Sequence, residues 1–278
     1  MTSFPREFVV VDTETTGMPP SARLVEIGAL RVKGRNIVDR FETLVNPEAP
    51  IPEVVVRVHG ITDAAVAEAP PASEILPKFL AWMGPLPLVA HNARFDASML
   101  ACECVRLGIS IPSNPVLCTL LAARKILQRP SHALEALVDD LGLPRGDHHR
   151  AASDAEHCLN LLQRMEEVAD GALPAKLMGG GGPLSGFGPE TPSLPLSLKA
   201  LEEAALRDES VDLRYRLADG RVIDTRISPR WVFQSRGGPI LEGLCHHALH
   251  YKHYRVDRIL AAEACPEAPP VSARPVGA

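Results

Sequence analysis

Residues 6–17 read REFVVVDTETTG, and this stretch places two carboxylates, Asp12 and Glu14, directly after an apolar run. The run from Phe8 to Val11 is rich in β-branched residues and predicts a buried strand. Because side chains two residues apart in a strand project from the same face, both carboxylates point the same way. The end of a buried strand is an unfavourable place for two unpaired anions, so the pair indicates a functional site.

The flanking sequence builds a domain around this strand. Residues 24–32 (LVEIGALRV) and 37–45 (IVDRFETLV) predict two more strands, joined by a turn at KGRN. Apolar residues at helical spacing predict helices over 72–83, 95–107 and 152–169, with a further strand in PLPLVAHN. Three adjacent strands followed by alternating helices and strands predict an α/β fold in which helices flank a mixed sheet.

The length of 278 residues favours two domains. The first is expected to span residues 1–170, and the GGGG run and prolines of residues 171–196 predict a flexible linker. Residues 197–264 predict a small β-rich domain with a hairpin that turns at Asp219-Gly220. Residues 265–278 predict a disordered tail. Further short strands of the second domain are predicted at Trp231–Phe233, Ile240–Leu244 and Tyr254–Ile259.

The composition, 46% hydrophobic and 23% charged, is typical of a soluble globular protein. No apolar run approaches the roughly 18 residues that a membrane span needs, and the beginning of the sequence lacks the features of a signal peptide. We therefore expect a cytoplasmic protein without a membrane partner. The six cysteines show neither zinc-ligand spacing nor a disulfide framework, so reduced and mostly buried thiols are expected.

The net charge of −5 is unevenly distributed. Residues 1–170 carry 16 Lys and Arg against 22 Asp and Glu, whereas residues 211–258 carry 9 against 5 and also four histidines. If the acidic residues of the first domain only formed a solvated surface, the negative net charge would argue against a nucleic-acid partner. Bound divalent cations would reverse the local field there, so the formal charge does not exclude such a partner.

Three further groups that can carry chemistry lie at the ends of predicted elements. Asp96 follows the strand in AHNARFD, Asp154 begins the last helix of the first domain, and His149 lies five residues before Asp154. Each alone is compatible with a solvated charge, a helix cap or a loop histidine. Together with Asp12 and Glu14, they form a set that a central sheet can bring to one place.

Three segments, VVDTETTG, AHNARFD and HRAASDA, resemble the three motifs of the DEDDh exonucleases, a family that includes bacterial DNA polymerase III proofreading subunits and RNase T. VHGIT at 58–62 is similar to the segment between the family's first and second motifs. The resemblance covers about residues 6–168. It implies an RNase H-like fold and a metal-dependent 3′→5′ exonuclease that releases nucleoside monophosphates from 3′ ends.

The resemblance also implies roles for single residues. Asp12, Glu14, Asp96 and Asp154 would bind two divalent ions, Mg²⁺ or Mn²⁺, which prefer carboxylate oxygen. His149 would be the general base, since it stands at the family's spacing in H-x-A-x-x-D, while His148 is offset by one.

Four residues are implied to contact the substrate: Thr15, His59, Asn92 and Phe95. Phe95 is equally compatible with a place in the core, and His59 with a hydrogen bond inside a turn.

The C-terminal sequence resembles a WYL domain, an Sm-like β-barrel module often attached to bacterial regulators. YRVDRI at 254–259 and the placement of Tyr215, Pro229 and Cys245 carry the likeness, although Pro239-Ile240-Leu241 stands where the Trp-Tyr-Leu triplet would fall. Five arginines of this domain predict either a solvated strand face or a basic surface that contacts phosphates. They are Arg214, Arg216, Arg226, Arg255 and Arg258.

Three functions remain open at this point. The favoured one is an exonuclease acting on single-stranded DNA or frayed 3′ ends. The same fold could trim RNA or short oligoribonucleotides, because both substrates offer the same phosphate. The third is a WYL-type regulatory nucleic-acid-binding protein with a vestigial nuclease domain, which the presence of all five motif residues disfavours. No sliding-clamp peptide is recognisable, so the sequence does not predict a tie to a polymerase.

Overall fold

The computed structural model describes residues 4–146, 149–171, 173–179 and 181–266. The chain divides into two units. The first comprises the residues up to Pro47 together with Ile51–Gly188, and the second comprises Glu48–Pro50 with the residues from Pro189 onward. No helix in the described ranges is long and apolar enough to cross a membrane.

The first unit is built on a mixed sheet, as the sequence predicts for an RNase H-like fold; it has six strands in the order β3-β2-β1-β4-β5-β6. β1, β2 and β3 are antiparallel, β4 and β5 run parallel to β1, and β6 is antiparallel to β5. The strands are β1 (Glu7–Thr15), β2 (Leu24–Lys33), β3 (Asn36–Leu44), β4 (Leu88–Ala90), β5 (Pro115–Cys118) and β6 (Gly182–Pro183).

Helices cover both faces of this sheet. The predicted helix over 72–83 is confirmed, and the helices predicted over 95–107 and 152–169 each begin and end one residue earlier than expected. The helices are α1 (Glu53–His59), α2 (Asp63–Val66), α3 (Ala72–Met83), α4 (Arg94–Arg106), α5 (Thr119–Ile126), α6 (Leu134–Asp140) and α7 (Ala151–Val168).

The pleat of β1 separates two hydrophobic cores. Val9 and Val11 pack into one core with α3 and α4, and Phe8 and Val10 pack into the other with α7. Side chains at even positions of β1 therefore face α7, and continuing this alternation places Asp12 and Glu14 on the α7 side.

The structure corrects the prediction that residues 171–196 form a flexible linker. Within it, Ala175–Met178 and Leu184–Phe187 form 3₁₀ turns, and Gly182–Pro183 adds strand β6 to the sheet. Met178 and Leu184 are fully buried in the two cores of the first unit. A few well-spaced apolar side chains are sufficient to fix a segment whose average composition is typical of a linker.

The second unit contains a five-stranded antiparallel sheet with the order β10-β9-β8-β7-β11, which confirms a β-rich C-terminal domain. A single long strand, Val222–Ser235, replaces the returning strand of the predicted hairpin and the short strand expected at Trp231–Phe233. Its ladder with β9 shifts register between Pro229 and Trp231, because proline has no N–H to donate and the strand bends there without ending. The elements are α8 (Lys199–Arg207), β7 (Ser210–Arg216), β8 (Val222–Ser235), β9 (Gly238–Cys245), β10 (His250–Arg255) and β11 (Ile259–Cys265).

The sequence also predicted a disordered tail from residue 265 and six reduced cysteines. Cys265 ends β11, so the predicted tail begins later than residue 265, and residues 267–278 lie outside the described ranges. All six cysteines are free thiols, and five of them are buried.

Candidate active site

The end of β1 and the first turn of α7 bring three carboxylates together. Asp12, Glu14 and Asp154 are half-buried, and each offers an oxygen atom within 4.8 Å of the other two. The first two lie on one face of β1 because they are two residues apart, as the sequence predicts. The third is 140 residues further along the chain, so its position depends on how α7 docks on the sheet.

A glycine allows α7 to dock this closely. Gly28 pairs with Asp12 in the β1–β2 ladder. A Cβ atom at Gly28 would lie 2.1 Å from the backbone nitrogen of Ala152 and 2.2 Å from the carbonyl carbon of Ala151. Only a residue without a side chain leaves room for the first turn of α7 directly on β2. That contact places Asp154 beside Asp12.

A buried glutamate, Glu26, holds the same turn. It is 1% exposed and stands opposite Glu14 in the ladder. Its carboxylate accepts hydrogen bonds from the backbone N–H of Ala151 at 2.9 Å and from Arg150 Nη2 at 2.6 Å. A carboxylate at a helix N-terminus satisfies an unpaired N–H and interacts favourably with the helix dipole. Glu26 was not predicted from the sequence, although it is the one acidic residue in the otherwise apolar start of LVEIGALRV.

Asp96 lies beside the three carboxylates without joining their closest group. It stands in the first turn of α4, is 2% exposed, and accepts a hydrogen bond from the Thr13 hydroxyl at 2.9 Å. Its charge still contributes to raising the pKa of Asp12. The structure thus gathers the four predicted acids as a group of three with Asp96 next to it.

The electrostatics of this site favour protons or cations. Burial, followed by the charges of Asp96 and Glu14, raises the pKa of Asp12 well above its usual range. Burial, followed by the charge of Asp154, raises the pKa of Glu14 to about 8. Burial also raises the pKa of Asp96 to about 7. Carboxylates with such raised pKa values are stabilised as anions only when a cation joins them.

Asp154 is held by two histidines. Its Oδ2 accepts a hydrogen bond from the backbone N–H of His149 at 3.0 Å, and its Oδ1 lies 3.1 Å from His157 Nδ1. The Gly146 N–H donates to His157 Nε2 at 3.0 Å, so in the neutral ring the proton lies on Nδ1 and points at Asp154. His157 was not predicted, because a histidine inside an amphipathic helix carries no distinguishing pattern.

His149 occupies a strained position in front of α7. Its φ angle is 61°, in the left-handed region, and its side chain is exposed. The backbone bond to Asp154 therefore fixes the main chain at this residue next to the carboxylates. His148, the alternative at an offset of one, lies outside the described residues.

Two of the four predicted substrate residues are buried beside the end of β1. Thr15 is 5% exposed and its hydroxyl donates to the Gly17 carbonyl at 2.7 Å, which leaves its backbone rather than its side chain to face a ligand. His59 accepts the Ile61 N–H at Nδ1 at 3.0 Å. Its buried Nε2 makes no hydrogen bond of normal geometry within the described ranges, although the Thr15 backbone lies near the ring, and burial lowers its pKa.

The other two precede or begin α4. Asn92 is exposed with a φ of 61°, and its carbonyl accepts the Phe95 N–H at 2.9 Å. Phe95 is half-buried and belongs to none of the hydrophobic clusters found among the described residues. It is therefore not the core residue that the sequence left open.

The five arginines that the sequence singled out in the second unit do not form a uniform basic face. Arg226 is paired with Asp212 at 2.7 Å, and Arg255 hydrogen-bonds Asp257 at 2.9 Å. The remaining three, Arg214, Arg216 and Arg258, have no ion pair within the described ranges.

Residues 9–162 match the family model of the RNase_T exonucleases, and the chain belongs to this family. Residues 197–264 match the WYL domain.

Relatives that match the first unit include a DNA polymerase III of the PolC type from Caldanaerobacter subterraneus. It is 39% identical over 168 residues, which are 58% of this chain and 12% of that protein. The corresponding protein of Bacillus cereus is 38% identical over 160 residues, or 57% and 11% of the two chains. The chain thus spans about an eighth of the length of these relatives.

Solved structures share the fold. Exonuclease X in complex with 5′ overhanging duplex DNA is 29% identical with a TM-score of 0.50, covering 62% of this chain and 96% of that chain. Escherichia coli exonuclease I in complex with a dT13 oligonucleotide is 14% identical with a TM-score of 0.55, covering 86% and 55%. The second likeness shows the fold alone.

Proposed function

We propose that this protein is a metal-dependent 3′→5′ exonuclease that shortens nucleic acid from free 3′ ends, with single-stranded DNA as the favoured substrate. The observation that carries the proposal is the convergence of Asp12, Glu14 and Asp154 at the end of a buried strand, with Asp96 beside them. Membership of an exonuclease family supports it.

The donor set fits two divalent ions, Mg²⁺ or Mn²⁺. All four acids offer carboxylate oxygen, the ligand that these hard cations prefer. Burial raises the pKa values of Asp12, Glu14 and Asp96, and neighbouring carboxylates add to the shift at Asp12 and Glu14; a bound divalent cation would offset both effects. When bound, such ions lower the pKa of water and stabilise charge on the transferred phosphoryl group.

His149 would accept the proton of the attacking water. Imidazole is suited to this role because it ordinarily titrates near neutral pH. Its main chain is fixed to Asp154, and its side chain is exposed where water can reach it. His157 and Glu26 would position Asp154 and the start of α7 without touching substrate.

Four residues would hold the terminal nucleotide. The unpaired Nε2 of His59 is a donor or acceptor that a bound nucleotide can satisfy, since a buried polar atom without a partner is costly. Phe95 offers a half-exposed ring on which a base can stack. Asn92 and the backbone at Thr15 would supply hydrogen bonds to the same nucleotide.

DNA is favoured over RNA because the PolC-type relatives are DNA polymerases and exonuclease X was solved with duplex DNA. Preferential hydrolysis of RNA would change the proposed substrate and leave the proposed chemistry unchanged. The vestigial-nuclease alternative is disfavoured because the acids not only are present but also converge.

The decisive experiment follows 5′-labelled and 3′-labelled single-stranded DNA, duplex DNA and RNA with Mg²⁺ or Mn²⁺ over time. We expect a ladder that shortens by single nucleotides from the 5′-labelled strand and a mononucleotide as first product from the 3′-labelled strand. His149→Ala should reduce turnover by roughly 10²–10⁴-fold, as is typical for loss of a general base. Internal cleavage, or undiminished activity in EDTA, would refute the proposal.

A further inference from the structure

A polar cavity lies in the first unit, outside the group of carboxylates. It has a volume of about 580 Å³ and is bounded by the residues that follow β4, by α5 and by the loop between α5 and α6. Its polar lining consists of His91, Asn92, Arg124, Ser131 and His132. We call it the Arg124 pocket.

The charge of this pocket is uncompensated. Arg124 is exposed and makes no hydrogen bond or ion pair with any described residue, and no carboxylate is found among the described lining residues. Other arginines of the same unit are bonded to acids: Arg106 to Glu103 at 2.8 Å, and Arg150 to Glu26 at 2.6 Å. A guanidinium left without an anion in a polar cavity is suited to bind one.

The pocket is held open by His91, which joins the sheet to the loop. Its Nδ1 lies 2.9 Å from the Thr119 hydroxyl, and its Nε2 lies 2.9 Å from the His132 carbonyl. His132 Nε2 lies 3.1 Å from the Leu127 carbonyl, so the loop is also bonded to itself. The walls are therefore arranged before any ligand arrives, which lowers the entropic cost of binding.

Two connections place the pocket next to the catalytic group. The hydroxyl of Thr119 lies 3.4 Å from the Sγ of Cys158, which is one helical turn after Asp154 on α7. Asn92 lines the pocket and stands four residues before Asp96. A strand whose scissile phosphate lies at the acids would thus have neighbouring phosphates close to Arg124.

We propose that the Arg124 pocket binds a backbone phosphate of the nucleic-acid substrate, away from the bond that is cleaved. The inference rests on the proposed function, which supplies the phosphodiester. The Arg124 guanidinium would pair with the phosphate oxygens, and the Ser131 hydroxyl would donate a hydrogen bond to them. A free phosphate or a mononucleotide product shares this chemistry and is the alternative source of the anion.

The test measures binding of fluorescent single-stranded oligonucleotides by anisotropy at several salt concentrations. The full chain carries Asp12→Asn throughout to prevent hydrolysis. Adding Arg124→Gln should weaken binding of a 15-nucleotide strand about three- to tenfold. It should also reduce the slope of log K against log salt by about 0.7, the value for one phosphate contact on a single strand.

Lys125→Gln is the matched control, because it removes the same charge from the next residue of α5, outside the pocket lining. It should change neither the affinity nor the salt slope measurably. Ser131→Asp, which places a negative charge in the pocket, should weaken binding at least as much as Arg124→Gln. Melting temperatures of all variants establish that they are folded.

Equal losses in Arg124→Gln and Lys125→Gln, or no loss in Arg124→Gln, would overturn the inference. Competition by millimolar inorganic phosphate or thymidine monophosphate that abolishes the difference between these variants would assign the pocket to free phosphate instead. A wild-type protein that binds DNA through Arg124 but hydrolyses nothing would refute the proposed function and leave the phosphate site standing.

Discussion

At the scale of single residues, Asp12, Glu14 and Asp96 concentrate more negative charge in a small buried volume than the neighbouring cations neutralise. Each keeps its proton to a higher pH in the folded chain than in the unfolded one. A group whose pKa is raised by folding contributes stability at low pH and loses that contribution as the pH rises through the interval. For Glu14 the interval runs from 4.5 to about 8.

We therefore expect the melting temperature in EDTA to fall as the pH rises from about 5 to 8, and Mg²⁺ or Mn²⁺ to reverse the fall. Asp12→Asn removes one anion from the group, so it should raise the melting temperature in EDTA while abolishing activity. Asp140→Asn, the same change on an exposed carboxylate, serves as control. If Asp12→Asn melts below the wild type in EDTA, the acids are not crowded.

Glu26 acts through its neighbours, and Glu26→Gln should separate positioning from binding. Glutamine keeps the size of the side chain but weakens the bonds to Arg150 and to the Ala151 N–H, at a cost of about 1–3 kcal/mol of stability. We expect kcat to fall about tenfold or more with KM nearly unchanged, and Glu42→Gln on exposed β3 to leave both unchanged. A change confined to KM would indicate that Glu26 serves substrate binding instead.

The sequence predicted the four acids and His149 because each belongs to a short local motif. Glu26, Gly28 and His157 were not predicted, because their roles arise only when distant segments meet. Gly28 contacts Ala151, which is more than a hundred residues away in the chain. In the sequence alone, Gly28 cannot be distinguished from any other glycine inside a strand.

At the scale of elements, the docking of α7 on β2 determines the geometry of the site. Gly28→Ala would put a methyl group where the backbone of Ala151 and Ala152 now lies. We expect a loss of about 1–3 kcal/mol in the free energy of unfolding, as for other overpacked sites. We also expect a roughly 10²-fold drop in kcat, because Asp154 moves with the helix.

Gly182→Ala is the control for this change, because a Cβ at Gly182 would meet no atom within 4 Å. Chemical denaturation and single-turnover hydrolysis measure the two effects separately. Wild-type kinetics in Gly28→Ala would show that α7 can dock without this contact.

The strands and the helix that the sequence did not predict correctly have a common physical cause. The sequence predicted the returning strand of a hairpin and a separate short strand at Trp231–Phe233, yet both belong to β8, whose ladder with β9 continues past the register shift at Pro229. β5 and α5 were overlooked because PVLC is short and its apolar run leads directly into a helix without a break. Local propensity does not reveal such continuations, since tertiary pairing decides them.

At the scale of the whole molecule, the first unit ends at Gly188 and not near Asp170. A chain truncated after Gly188 retains Leu173, Met178 and Leu184, each with 0% exposure, whereas a chain truncated after Asp170 loses all three. Each fully buried side chain of this kind contributes about 1.5–3 kcal/mol. We expect the shorter chain to have lost several kcal/mol out of a typical total of about 5–15.

Urea denaturation of the two truncated chains checks this expectation. The chain ending at Gly188 should keep most of the cooperative transition of the first unit, and the chain ending at Asp170 should unfold at a much lower midpoint or be insoluble. Equal urea midpoints for the two truncated chains would instead support the flexible linker that the composition predicted.

The two residues of β6 have a consequence for association between chains. β5 would otherwise present an open row of backbone groups at the end of the sheet, a template on which another chain can add a strand. β6 occupies that row, and Pro183 within it has no N–H to offer to a further strand. During synthesis the row stays open until Gly182 and Pro183 have left the ribosome, so until then a strand of another chain can pair with β5.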